Sequence, residues 1–208
     1  MSSILLPFFV MAASANATEI LWNTNASGTE FQGGGLTLTS TDGLATLTYT
    51  PNITGDNNTP TNVNFGDFLL TCATCSSTTM ANFDSFTFNL IITDLTDHAT
   101  GEFVGTSSGG TVSSTSSGVN INWSPAQIGP DGSNALTGDF STTYFTISNV
   151  TEIVAPNSGG TGGAGSGDTT VQGTVYSTED AVPEPATMAL VGGAFIGLAA
   201  LARKRRRA

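Results

Sequence analysis

Before Arg203 the chain has neither lysine nor arginine. All five bases form the run Arg203, Lys204, Arg205, Arg206 and Arg207, while all 16 acidic residues come earlier, so residues 1–202 carry a formal charge of −16. A segment without cations cannot neutralise a phosphate backbone, which argues against nucleic acid as a partner. Phosphoryl transfer loses its usual Lys or Arg clamp for the same reason. Histidine occurs once and cysteine twice, too few for a four-ligand structural zinc site. No run has the Asp-x-Asp-x-Asp-Gly spacing of an EF-hand loop. Charged residues are only 10%, against about 25% in a typical soluble chain, and threonine, serine, asparagine and glycine replace them. Neither a sustained i, i+3, i+4 apolar stripe nor a fixed-period repeat occurs, so helices and solenoids have little support before position 182.

What is present begins with two distinctive ends. Met1 to Met11 is largely apolar and reaches small residues at Ala12 to Ala17. Ala15-Asn16-Ala17 has the A-x-A form of a secretory cleavage site, giving a signal peptide over 1–17 and a mature start at Thr18. No base precedes the apolar run, and a start codon upstream of Met1 would supply one. The other reading of this stretch is a buried N-terminal strand.

At the far end Val182, Pro183, Glu184 and Pro185 precede an uncharged apolar segment, Ala186 to Ala202, and then the basic run. Those 17 residues would make a helix about 25 Å long, at the short end of what crosses a hydrocarbon core of roughly 30 Å. Basic residues directly after a span stay on the cytoplasmic side, which puts the rest of the chain outside. Pro183 and Pro185 restrict their predecessors to extended backbone, so the segment before the helix reads as accessible chain.

The order Val-Pro-Glu-Pro, short apolar helix, basic run resembles the PEP-CTERM sorting signal of Gram-negative bacteria. The resemblance covers residues 182–208, with the motif at 182–185, the transmembrane segment at 186–202 and the basic tail at 203–207. It implies an exosortase, a membrane enzyme of transpeptidase type, as processing partner. It also implies an inner-membrane intermediate and delivery of the body to the cell surface or the extracellular polysaccharide. The same segment is also catalogued as an ice-binding protein C-terminal domain. A permanent single-span anchor is the alternative.

Between the ends, residues 18–181 read as strand and turn. Leu36 to Ser40 and Leu44 to Thr50 flank Thr41-Asp42-Gly43, a hairpin signal, because glycine accepts the positive φ of tight turns. Val63 to Phe65 runs into Phe68 to Cys72. Phe86, Phe88, Leu90 and Ile92 alternate with partners of the opposite face, as do Val119, Ile121 and Trp123. Phe140 to Val150 and Thr170 to Tyr176 bring the count to about eight strands, the pattern of a single antiparallel, jelly-roll-like β-sandwich. Thr106 to Gly118 reads as a long hairpin connection around a short strand at Gly110. Ser158 to Gly167 reads as a mobile loop within the domain.

Candidate sites are few. Cys72-Ala-Thr-Cys75 has C-x-x-C spacing but follows a strand, without the helix N-terminus that activates a redox cysteine. In an oxidising compartment the pair reads as a disulfide, the alternative being two separate thiols. His98, near Asp94 and Asp97, suits a turn better than a general base. Asp56-Asn57-Asn58, Asp94 with Asp97, and Asp131-Gly132 are the places where Ca²⁺ would bind, but a solvated acidic surface explains them better. Trp22, Trp123 and Tyr144 would make a sugar-stacking platform, although alternation points Trp123 to the core. Threonines at 37, 39, 46, 48 and 50 share strand faces, but two strands are too few for an ice-binding surface.

The sequence therefore predicts a non-enzymatic surface or matrix protein without a cofactor or metal, with a structural or adhesion role in exopolysaccharide or biofilm. A carbohydrate-binding module, an ice-binding surface protein and a carboxylate-only glycan hydrolase are the alternatives.

Overall fold

Threonine alternating with Val, Leu, Phe and Tyr fits a pleated surface with one wet and one dry face, and the chain uses it throughout. The structure is a computed structural model that describes residues 19–58, 61–129, 135–137, 142–156 and 165–177. In chain order the strands are β1 (Glu19–Asn23), β2 (Glu30–Phe31), β3 (Thr37–Thr39), β4 (Ala45–Pro51), β5 (Gly55–Asn58), β6 (Thr61–Cys72), β7 (Ala81–Phe83) and β8 (Phe86–Asp94). There follow β9 (Ala99–Ser107), β10 (Gly110–Val112), β11 (Asn120–Ser124), β12 (Gln127–Ile128), β13 (Ala135–Thr137), β14 (Thr143–Ile147), β15 (Val150–Glu152) and β16 (Gly165–Ser177). Among the described residues there is no helix, hence none long and apolar enough to cross a membrane. The signal segment with its Ala15, Ala17 and Thr18 cleavage site, the Val182–Pro185 motif, the span at 186–202, the basic run, Asp131-Gly132 and Phe140 lie outside the described residues.

Every pairing of these strands is antiparallel. An eight-stranded sheet runs β15-β11-β9-β8-β1-β5, with β13 added on β9 and β2 on β8. A six-stranded sheet runs β12-β14-β16-β6-β4-β3, and β10 pairs with β7 in a small third sheet. Rings from the two large sheets meet in one core. Trp22 touches Phe65 at 5.2 Å between centroids, Tyr49 touches Phe88 at 4.8 Å, and Phe68 touches Phe88 at 5.1 Å. Each such edge or tilted pair contributes about 0.5–1.5 kcal/mol beyond the area it buries.

The hairpin at Asp42 forms as its sequence suggests, with Thr37 opposite Thr48 and Gly43 at φ 73°. Asp42 fastens the turn: its Oδ1 accepts from the Ser40 hydroxyl and Leu44 N–H, and its Oδ2 accepts from Asn82 N–H on β7. These bonds, the Ser40 hydroxyl foremost, hold its carboxyl below the usual carboxylate range.

Three expectations change. Among the described residues sixteen strands replace about eight, because short segments such as β2, β7 and β12 pair with neighbours far away in sequence. Gly110–Val112 is a strand, but its partner is β7 rather than a flanking hairpin arm. Gly165, Ser166 and Gly167, read as loop, are the start of β16 and pair with Cys72, Thr71 and Leu70.

Candidate functional site

The six-stranded sheet turns one face to the aromatic core and the other outward. On β4, Ala45, Leu47 and Tyr49 are buried, while Thr46, Thr48 and Thr50 face the other way. Register joins these threonines to others. Thr39 lies opposite Thr46, and Thr46 opposite Thr71, giving a row across three strands. Hydroxyls bond along the rows: Thr37 with Thr48 at 3.2 Å, Thr46 with Thr71 at 2.7 Å, and Thr146 with Thr174. The threonine face is thus wider than the two strands visible in the sequence, because β6 adds Thr71 through a non-local pairing.

On β6 a bulge interrupts this regularity. Thr170 pairs with Asp67 and Gln172 with Asn64, so Phe65 and Gly66 together oppose Val171. Gly66 has φ 130°, and a Cβ there would lie 2.6 Å from the Thr50 carbonyl, so only glycine fits. The Asn64 side chain accepts from Gly66 N–H at 2.7 Å and closes the bulge locally. Tyr49 donates its hydroxyl to the Phe65 carbonyl, and burial pushes its phenol well above the ordinary value.

A bulge bends its strand and increases the local twist. Beside this one lies a shallow groove bounded by Asn62, Asn64, Thr146, Ser148, Gln172 and Thr174. A second depression shares Asn62 and Thr174 and extends to Thr61 and Tyr176. Tyr176 stacks on Tyr144 across β14 and β16, with ring centroids 4.7 Å apart and planes at 1°. Among the described residues no charged side chain lines either depression.

The other candidates resolve differently. Trp22 and Trp123 are core residues, 1% and 6% exposed. Their indole N–H groups donate to Asn57 Oδ1 and Thr151 Oγ1, both at 2.9 Å. Of the candidate platform only Tyr144 remains, joined by Tyr176, which has no distinguishing signal in the sequence. Cys72 and Cys75 form a disulfide, with Cα atoms 5.5 Å apart. His98 is exposed in the β8–β9 turn at φ 58°.

Asp94 is buried, and its Oδ1 accepts from Thr96 and Asp97 N–H rather than from His98. Its Oδ2 makes no hydrogen bond among the described residues. Burial pushes this carboxyl above the usual range, against the hydrogen bonds from Asp97, Thr143 and Thr96. Asp56 is exposed on the edge strand β5. Among the described residues no three His, Cys, Asp or Glu side chains are grouped to hold a metal ion.

The second functional region is the C-terminal segment, defined by its order of motif, apolar run and bases. Residues 181–207 match the PEP-CTERM protein-sorting motif. A PEP-CTERM segment implies processing by an exosortase and export through the membrane to the cell surface. The match takes in Val182, Pro183, Glu184 and Pro185 together with Arg203 to Arg207. No curated protein and no solved structure matches the chain.

Proposed function

We propose that this exosortase substrate is a jelly-roll-like β-sandwich delivered to the surface or extracellular polysaccharide of a Gram-negative bacterium, where it acts without catalysis as a structural or adhesive component. The PEP-CTERM match over residues 181–207 carries this reading. Residues 186–202 serve as a transient transmembrane helix, and Arg203 to Arg207 mark its cytoplasmic end. Two antiparallel sheets sharing an aromatic core support the sandwich. A body with one histidine and no lysine or arginine has little of the usual acid–base machinery. Among the described residues, the grooves on its outer sheet face are lined by no facing carboxylate pair of the kind a glycan hydrolase uses.

Replacing Pro183, Glu184 and Pro185 together by alanine tests the sorting step. Fractionated cells carrying an exosortase should retain that variant in the inner membrane while the parent chain reaches the surface. Equal release of both would overturn the proposal.

A further inference from the structure

We propose that the groove across β14, β16 and β6 binds an uncharged polysaccharide chain. The inference deepens the matrix reading and rests on it only for where the ligand is met. The chemistry comes from the groove itself. Asn62 and Gln172 are exposed, and their side-chain amides bond to nothing among the described residues. Each amide offers both donors and an acceptor, the combination that a pair of adjacent sugar hydroxyls requires. Thr146, Ser148 and Thr174 add hydroxyls along the same depression. At its end Tyr176, stacked on Tyr144, supplies an apolar wall with a polar tip. The depression is thus lined mainly by hydrogen-bonding side chains, with the stacked tyrosine pair as its aromatic surface.

Charge selects the class of glycan. Among the described residues the groove carries no charged side chain, and no lysine or arginine precedes Arg203. Asp67 and Asp168 flank it on β6 and β16. A uronate or sulfate polymer would meet acidic neighbours and no counter-ion, so it is disfavoured. A protein partner fits less well, because the centre of a protein interface is apolar. The large exposed apolar side chains, Leu21, Ile53, Met80, Leu95, Val150 and Val154, all lie outside the groove.

The test is native affinity electrophoresis of the full chain in neutral detergent, with gels containing an α-glucan, a mixed-linkage β-glucan, a galactomannan or alginate. At least one neutral polymer should retard the protein, and alginate should not. In the Asn62→Ala/Gln172→Ala variant the polymer concentration for half-maximal retardation should rise about tenfold, as expected for two lost hydrogen bonds. Thr37→Ala/Thr48→Ala, on the same sheet face outside the groove, should behave as the parent, and a melting curve for each variant checks folding. Unchanged mobility in all three neutral gels would overturn the proposal. So would retardation of the folded Asn62→Ala/Gln172→Ala variant at the same polymer concentration as the parent, or equal retardation by alginate. A chain that binds glycan yet stays in the membrane would contradict the sorting reading alone. A released chain that binds none of the polymers would contradict the glycan site alone.

Discussion

The inner and outer faces of the six-stranded sheet are built from the same strands and differ in almost everything else. Inward, Leu47, Tyr49, Phe65, Phe68, Phe145, Val171 and Val175 are buried and interlock with rings of the opposite sheet. Outward, Thr46, Thr48, Asn62, Gln172 and Thr174 are half-buried or exposed. The inner face supplies the free energy that holds the fold, through apolar burial and ring contacts. The outer face contributes little to stability, so its residue types are open to selection for recognition. The bulge at Gly66 belongs to both, since it serves the Tyr49 hydrogen bond on one side and shapes the groove on the other.

The largest effect should come from the core that the inner face shares with the opposite sheet, where Phe88 of β8 packs on Tyr49 and Phe68. Phe88→Ala removes a ring that contacts Phe31, Tyr49, Phe68 and Trp123, and chemical denaturation should show a loss of about 3–5 kcal/mol. Gly66→Ala comes next. It forces a side chain onto φ 130° against the Thr50 carbonyl, with an expected loss of about 1–3 kcal/mol in the same measurement. If the bulge shapes the groove, this variant should also weaken glycan retardation while still folded.

Asp94, buried at the end of β8 in the opposite sheet, gives stability a pH dependence. Its folded-state pKa is raised, so the folded chain holds a proton that the unfolded chain releases. Asp94 therefore disfavours folding at neutral pH, and that penalty fades as pH falls through its raised pKa towards the ordinary value near 4. In Asp94→Asn this part of the pH dependence should vanish, so the variant gains most on the parent at neutral pH and loses that advantage in acid. Urea titrations of both chains at several pH values would show it, and parallel profiles would contradict it. The smallest effect belongs to the outer face. Thr46→Val/Thr71→Val breaks one cross-strand hydroxyl pair and should shift stability by no more than about 1 kcal/mol.

The division between faces was legible wherever it depended on local sequence. The Leu36 to Thr50 hairpin could be read because turn and alternation sit side by side. The alternation of Phe86 to Ile92 identified β8 and its buried side, and that of Val119 to Trp123 identified the core tryptophan. The sorting segment was readable because it is defined by order and spacing alone. β9 was hidden because its inward residues include Ala99, Gly101, Gly105 and Ser107, which blunt the hydropathy contrast. The start of β16 looked like linker because it is glycine-rich. Gly167 is tightly enclosed there, where a Cβ would lie 2.1 Å from the Val154 carbonyl. The groove could not be read at all, since Asn62 meets Thr174 and Asn64 meets Gln172 only through long-range register.

The groove meets an extracellular glycan only if the chain is exported, as its PEP-CTERM segment implies. Intact-mass analysis of protein released from the cell surface tests that claim most directly. The account predicts a chain that starts at Thr18, ends within the Val182 to Pro185 region, and has lost all five basic residues. Recovery of the chain in the inner membrane with Arg203 to Arg207 still attached, in cells that carry an exosortase, would contradict it.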